Sequence, residues 1–455
     1  MIRLGPPRPK ATAVRAYEFP EMMRSTLSNG LHVIVAPMRR LPIVSVRALV
    51  DAGASRDAAR TEGTASLTSR ALCEGTRRLD GAALTEHFEH LGTQLEADAD
   101  WDDATTSLTV TPPRLEAAIA LLGEVLAQPA FAAREVERLR AERLAEILQQ
   151  QAEPRSLADD KFAEIVYVAE SRYGIPAEGN DETVRRIGVS EVRGFHEQHY
   201  APSATTLVFA GDVTVDVAMR VSESALGAWR GEGPPSISLD DRARSSARRV
   251  HIVNRPGAPQ TELRLGHRGV SRAHQDYFPI VVMNAILGGL FSSRINLNLR
   301  ERNAFTYGAR SEFDWRRHAG PFMVSTAVKT EVTEAATREI MLEIEKLRSE
   351  NVSGEELSLA TAYLDGVFPI RYETTGAVAE AIARAEVFGL GAAYFTDYRT
   401  CVRNVTALDV RRAAETYLHP DELQVLAVGD VSDIRGPLDA LGLGPSEVHA
   451  LHSAV

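Results

Sequence analysis

Polar and apolar positions along this chain follow two rhythms. In the first, side chains alternate or stay apolar over a short run, which predicts strands. LHVIVAP (Leu31–Pro37), PIVSVRALVDAG (Pro42–Gly53), TTSLTVTP (Thr105–Pro112) and TTLVFAGDV (Thr205–Val213) read this way in the first half. RVHIVNRP (Arg249–Pro256), TELRLGHRG (Thr261–Gly269), FMVSTAVK (Phe322–Lys329) and LQVLAVGDV (Leu423–Val431) do so in the second. The second rhythm is helical. It predicts helices near Gly63–Leu72, Ala82–Leu91, Arg114–Ala127 and Arg134–Gln151, then near Ile280–Leu287 and Glu334–Leu347. In the third of these, Leu115, Ala118, Ile119, Leu122 and Leu126 share one face. Ser353 and Glu356 form a capping box for a further helix.

The pattern repeats. Glu191–Val213 aligns without gaps on Asp409–Val431, an offset of 218 residues that sets Pro202 on Pro420 and Gly211-Asp212-Val213 on Gly429-Asp430-Val431. The same offset sets Ile34-Val35 on Ile252-Val253. Agreement at both ends of a long unit predicts a duplicated domain, and two copies are too few for a solenoid. The expected fold is therefore α+β: two homologous lobes at 19–224 and 250–442, each a mainly antiparallel sheet packed with helices. The Pro-, Gly- and Ser-containing stretch 225–249 reads as a linker, and two lobes on one linker suggest a clamshell.

Composition narrows the function. With 455 residues and a net charge of −11, the chain has room for large cores and lacks the basic character of a nucleic-acid binder. Cys73 and Cys401 are its only cysteines, so it is no disulfide scaffold. The first twenty residues read as a loose Pro- and Arg-containing arm without the apolar core of a signal peptide. The apolar run Phe278–Phe291 is interrupted by Pro279, Asn284 and two glycines, and reads as too short and broken to span a bilayer. A soluble, cytoplasmic protein without a membrane partner is expected.

Candidate chemistry gathers in Asn284–Tyr307, NAILGGLFSSRINLNLRERNAFTY. Gly288-Gly289 is expected to break a helix and to let backbone approach another group closely. Ser292 and Ser293 are positioned to cap the next helix, which carries Arg300, with Tyr307 seven residues on. A guanidinium and a phenol that converge are good donors to a carbonyl oxygen gaining negative charge. Arg300 reads equally as an ion pair with Glu301 or Glu312, and Tyr307 as core.

Together these segments resemble the insulinase/pitrilysin-type zinc peptidases, most closely the branch like mitochondrial processing peptidase. The resemblance rests on VNRPGAPQTELRLG, NAILGGLFSSRINLNLRE and Tyr307 in lobe two. In lobe one it rests on TLSNGLHVIVAP, EGTASLTSRALCEGT, LAQPAF and Tyr200-x-Pro202…Gly211-Asp212. It covers about Phe19–Gly442. The family's chemistry uses H-x-x-E-H on a lobe-one helix, two zinc ligands one turn apart and a Glu that activates water, plus a distal Glu. Here Ser66 and Arg70 stand at the His positions and Ser69 at the Glu position, while Glu146 keeps the distal register. Neutral Ser is a poor zinc ligand and Arg repels the ion, so no metal or other cofactor is expected in this chain. Arg70 is expected to reach a buried Glu146 in place of the metal.

The resemblance implies that Arg300 and Tyr307 hold substrate beside a zinc carried elsewhere, and that Gly288 and Gly289 line an interface or substrate path. The implied assembly is a heterodimer with a homologous chain carrying H-x-x-E-H and zinc, acting on peptides or unfolded segments. A non-catalytic structural or assembly subunit is the alternative. A hydrolase using Ser66 or Ser69 as nucleophile lacks a visible base beside them. Glu86-His87-Phe88-Glu89-His90 has two histidines, but at i and i+3 and with the wrong Glu spacing, and reads as a solvated face.

Overall fold

The computed structural model describes residues 16–450; most of the N-terminal arm, residues 1–15, lies outside the described residues. Twelve strands form two six-stranded sheets. In chain order they are β1 (Met23–Thr26), β2 (His32–Pro37), β3 (Val44–Val50), β4 (Glu96–Ala99), β5 (Ala104–Val110) and β6 (Thr205–Gly211). The second sheet has β7 (Arg249–Asn254), β8 (Gln260–Arg268), β9 (Ala309–Phe313), β10 (Pro321–Lys329), β11 (Gln424–Gly429) and β12 (Ser446–His449). Their orders are β1-β2-β6-β3-β5-β4 and β12-β7-β11-β8-β10-β9. Five strands of each sheet correspond one to one. The sheets differ at one edge, where β1 lies antiparallel on β2 but β12 lies parallel on β7. β12 extends the second lobe past residue 442.

The duplication is plain at the closing elements. Helices Val189–His199 and Ala407–Tyr417 stand at the 218-residue offset, as do the short turns beginning at Pro202 and Pro420. At the opening strands the structure departs by one residue. His32 pairs with Thr206 and Arg249 with Gln424, so Ile34 corresponds to His251 and not to Ile252. A one-residue slip turns every side chain to the other face, so pairing decides between matches that similarity alone leaves adjacent.

The apolar runs in the central strands have a direct cause. Alternate residues of β2 and β6 (Val33, Val35, Leu207, Phe209) face lobe one's own helices, while Ile34, Ala36, Val208 and Ala210 face a different core. That second core is supplied by helix Thr375–Val387, which comes from the other half of the chain and packs through Val378, Ala379, Ile382 and Ala383. Reciprocally, helix Pro154–Val166 of the first half lies on β8 and β11, with Ala158, Phe162, Ile165 and Val166 against Val253, Leu426 and Val428. The lobes thus exchange helices, and both central sheets are buried on two faces.

Polar contacts add to this junction. Tyr167 donates from its hydroxyl to the Ala319 carbonyl at 2.9 Å. Arg264 is buried and bonds Asp159 at 2.6 Å. Arg317 reaches Asp51 at 2.9 Å, and its backbone amide donates to Asp102 at 2.7 Å. The two lobes are thus held together by exchanged helices and polar contacts as well as by the segment 225–249 that joins them. That segment is itself tied down: Val168 N–H donates to Arg242, and Arg244 N–H donates to Val166.

Helical backbone covers most of Tyr277–Arg302, 26 residues with an 18-residue window of mean hydropathy 1.5, interrupted at Leu290–Ser293. Length and composition alone would let it cross a membrane, a test that the core helix of a globular domain also passes. Half of it is buried, with Ile280, Met283, Leu287, Ile295 and Leu299 in the second lobe's core.

Candidate functional site

The helix Thr64–Leu72 begins at Gly63, in the left-handed region with φ 102° and with the Glu178 carbonyl only 2.6 Å from where a Cβ would sit. Its first turn is held by Asp57, which accepts from Gly63 N–H and Ala65 N–H at 2.7 Å each and from Arg172 at 2.9 Å. The Asp57 side chain is fully buried. A carboxylate there satisfies orphan amides and complements the helix dipole. The sequence pattern missed Asp57 because it lies six residues outside the helix.

Every residue of this helix is buried except Arg70. Ser69 is wholly enclosed and its Oγ has no hydrogen-bond partner among the described residues; Ser66 is buried as well. Neither hydroxyl is presented as a nucleophile would be. Arg70 turns toward helix Ala133–Ala152 and grips Glu146 in a fork, Nη1 donating to Oε2 and Nη2 to Oε1 at 3.1 Å each. Arg143, one turn earlier on that helix, lies 3.4 Å from the same carboxylate and 2.8 Å from Glu178. Burial works to raise the Glu146 carboxyl. Arg70 and then Arg143 outweigh it and hold the group below the ordinary carboxylate range.

The Glu146 side chain is 43% exposed and that of Arg70 30%, so this is a rim pair and not the buried one expected. The residues do not fit zinc. The one carboxylate is occupied by two guanidiniums, which have no lone pair to offer a metal. No H-x-x-E-H occurs anywhere in the chain.

In lobe two, both parts of the Gly-Gly…Arg stretch are π-helical, Ala285–Gly289 and Leu297–Arg302, a distortion found disproportionately at functional sites. Gly288 is buried under β9: a Cβ would lie 2.5 Å from Ser311 N. Gly289, the next residue, is exposed. Ser293 is the residue before the next helix, but its hydroxyl makes no capping bond.

Arg300 stacks over the Phe291 ring at 4.3 Å, with Glu301 3.6 Å away. Tyr307 is 96% exposed, not core, and makes no hydrogen bond among the described residues. Its loop is nevertheless fixed. Asn296 accepts from Ala309 N–H at 3.1 Å and donates to the Phe291 carbonyl at 2.6 Å. Thr326 of β10 bonds Thr306 and the Gly308 carbonyl, each at 3.0 Å. Asn298 is buried and donates to Glu339 and Glu343, and Asn303 reaches back to it. These asparagines read in the sequence as helix-surface polar residues, which hid their supporting role.

His87 and His90 each bond the carbonyl four residues back on their own helix, at 2.7 and 2.8 Å.

Comparison with known proteins accounts for most of the chain. Residues 33–173 match the family described as insulinase (peptidase family M16), and residues 186–364 the peptidase M16 inactive domain. An uncharacterized zinc protease of Streptomyces coelicolor is 22% identical over 95% of this chain and 92% of its own length. The probable mitochondrial-processing peptidase subunit beta of Arabidopsis thaliana is 22% identical over 91% and 80%, and subunit alpha of Pongo abelii 23% over 94% and 86%. A peptidase M16 inactive domain from Pseudomonas fluorescens has the same fold, with TM-score 0.84 and 24% identity over 90% of this chain and 98% of that one. So does a protease from Helicobacter pylori, with TM-score 0.84 and 18% identity over 90% and 99%. With its two halves matching the two domain types of one family, and processing-peptidase subunits among its relatives, this chain belongs to the insulinase family of peptidases (family M16), in the branch like mitochondrial processing peptidase.

Proposed function

We propose that this chain is the subunit lacking the catalytic zinc motif of a heterodimeric zinc metallopeptidase and presents Arg300 and Tyr307 to substrate held at a homologous partner's site. The observation that carries the reading is the contrast between the lobes. Arg70 closes the lobe-one position, while in lobe two a phenol stands free in solvent on a loop pinned by buried asparagines. A phenol held out in solvent on a fixed loop is available to a ligand, and a fixed donor loses little entropy on binding one.

Zinc in the partner supplies a Lewis acid and activates water. This chain's residues bind and orient: Arg300 offers its guanidinium to a peptide carbonyl, and Tyr307 offers its hydroxyl as a second donor. Substrates are peptides or unfolded segments, and the complex is cytoplasmic.

The test is hydrolysis of an unstructured fluorogenic peptide by this chain alone and by its mixture with a homologue carrying H-x-x-E-H. Activity is expected only in the mixture. Tyr307→Phe and Arg300→Ala are each expected to cut kcat/KM by about tenfold or more, since a donor to developing negative charge contributes a few kcal/mol. A stable but inactive complex would favour the structural-subunit reading. The exposed apolar stripe Leu359, Tyr363 and Ile370 on helix Gly354–Arg371 is the feature that would serve it.

A further inference from the structure

A second cluster of metal-ligating side chains lies far from the sites above, where β12 closes the edge of the second sheet. β12 runs parallel to β7, with Glu447 opposite His251 and His449 opposite Val253. His251 Nδ1 is 2.9 Å from His449 Nε2 and 3.9 Å from a Glu447 oxygen. One donor atom from each of the three residues lies within 4.8 Å of the others.

The hydrogen bonds around His251 assign its tautomer. Gln424 is buried and its amide nitrogen donates to two backbone carbonyls, Glu422 at 2.8 Å and Ala247 at 3.1 Å. Its orientation is thereby fixed, and its oxygen faces His251 Nε2 at 3.2 Å. An amide oxygen only accepts, so Nε2 carries the proton. Nδ1 is then left with its lone pair pointing at His449 and Glu447. A buried acceptor that fixes the tautomer of a neighbouring imidazole is the outer-shell partner a metal-ligating histidine requires.

We propose that His251, His449 and Glu447 bind one divalent transition-metal ion of the zinc type, fastening β12 to β7. The donor set, two neutral imidazoles and a carboxylate, suits zinc. Without the ion, His449 Nε2–H donates into the His251 lone pair. On binding, His449 moves its proton from Nε2 to Nδ1 through solvent, Nε2 and His251 Nδ1 each give a lone pair to the ion, and no net proton is released. Two imidazole nitrogens on a tetrahedral zinc stand about 3.3 Å apart given bonds of 2.0–2.1 Å. The pair must therefore spread by a few tenths of an ångström from 2.9 Å. His449 and Glu447 lie on an edge strand and are not buried, so they are free to supply that movement. Lys161 and Arg244 also face His449, and Glu164 offsets them. Lys161 is paired with Glu164 at 2.8 Å, which blunts its repulsion of a cation. Lys161 and Glu164 belong to the exchanged helix Pro154–Val166, so the ion would sit at the junction between the lobes.

The test uses the full chain without an affinity tag, stripped by chelator and titrated with zinc chloride. One zinc per chain is expected, with a rise in Tm. His449→Ala leaves buried packing intact and is expected to lower zinc affinity by at least about tenfold and to abolish the Tm rise. A His87→Ala/His90→Ala variant is expected to bind as the parent does. Cobalt substitution is expected to give an absorption band that His449→Ala removes. Failure to bind zinc, or binding unchanged in His449→Ala, would overturn the proposal. So would binding lost only in the His87/His90 variant.

Discussion

Arg70 and Asp57 act near opposite ends of one helix, and burial separates what each contributes. The Arg70–Glu146 fork is well formed but lies in partial contact with water, where an ion pair contributes up to about 1 kcal/mol. Arg70→Ala is expected to lower the unfolding free energy by no more than that in a urea titration, and its effect to shrink as salt is raised. Asp57 is enclosed, and its loss leaves two amides without their acceptor and Arg172 without this carboxylate, though still bonded to the carbonyls of Ile175, Pro176 and Ala177; Asp57→Ala is expected to cost about 3 kcal/mol. Equal losses for the two would refute this ordering.

His267 gives a pH signature of the opposite origin. It is buried, bonds the Arg268 carbonyl through Nδ1 at 2.8 Å, and accepts from His419 N–H on Nε2 at 3.1 Å. Burial drives its pKa down to about 4. Between pH 6.5 and 4 the unfolded chain takes up a proton that the folded chain refuses, so this stabilisation is complete above pH 6.5 and is lost as pH falls toward 4. The whole effect is on the order of 3 kcal/mol. Unfolding of His267→Gln measured at several pH values is expected to show lower stability at pH 7 and a shallower fall on acidification.

At the scale of elements, the sequence was legible wherever one side of an element faces water. FMVSTAVK alternates, and Phe322, Val324, Thr326 and Val328 are buried as that alternation requires. The Ser353/Glu356 capping box forms in full, and Leu115–Ala127 buries the face its spacing marks. Legibility failed where an element is enclosed or where its partner is remote. Thr375–Val387 carries small apolar residues on several sides because it is wedged between lobes, so no single stripe announces it. Pro154–Val166 begins at a proline, which suits a first helical turn but breaks any pattern read through it. For the candidate site, Arg300 and Tyr307 could be singled out by residue type and spacing, whereas the π-helical backbone and the asparagine supports depend on contacts with β9, β10 and helix Thr333–Ser349. Gly288 gives this a test. With Ser311 N 2.5 Å from its missing Cβ, Gly288→Ala must push the π-turn off β9, at about 1–3 kcal/mol by analogy with overpacked cores. Gly289, whose nearest contacts are 3.1 Å away on Asn284, is expected to tolerate Ala better. A Gly289→Ala variant less stable than Gly288→Ala would mean that the close approach to β9 is not what selects glycine.

For the whole molecule, the exchange of helices determines how it comes apart. Lobes joined only by a linker would unfold independently, each with its own midpoint. Here each central sheet has one face covered by a helix encoded in the other half, so opening either lobe exposes a core that both share, and ion pairs such as Arg264–Asp159 break with it. A single transition follows, as for one cooperative unit. Two tryptophans report on the two cores separately: Trp229 packs on the first and Trp315 on the second. In variants retaining only one of them, with Phe at the other tryptophan positions, the urea midpoints are expected to coincide. Phe162 makes the sharper test, because it belongs to the first half by sequence but fills the core beneath the second sheet. Phe162→Ala is expected to cost about 3–5 kcal/mol and to move the Trp229 and Trp315 transitions together. If the Trp315 signal moved alone, the lobes would be energetically separable despite the exchange. If the Trp229 signal moved alone, helix Pro154–Val166 would belong to the first lobe in solution, and the exchanged arrangement itself would be wrong.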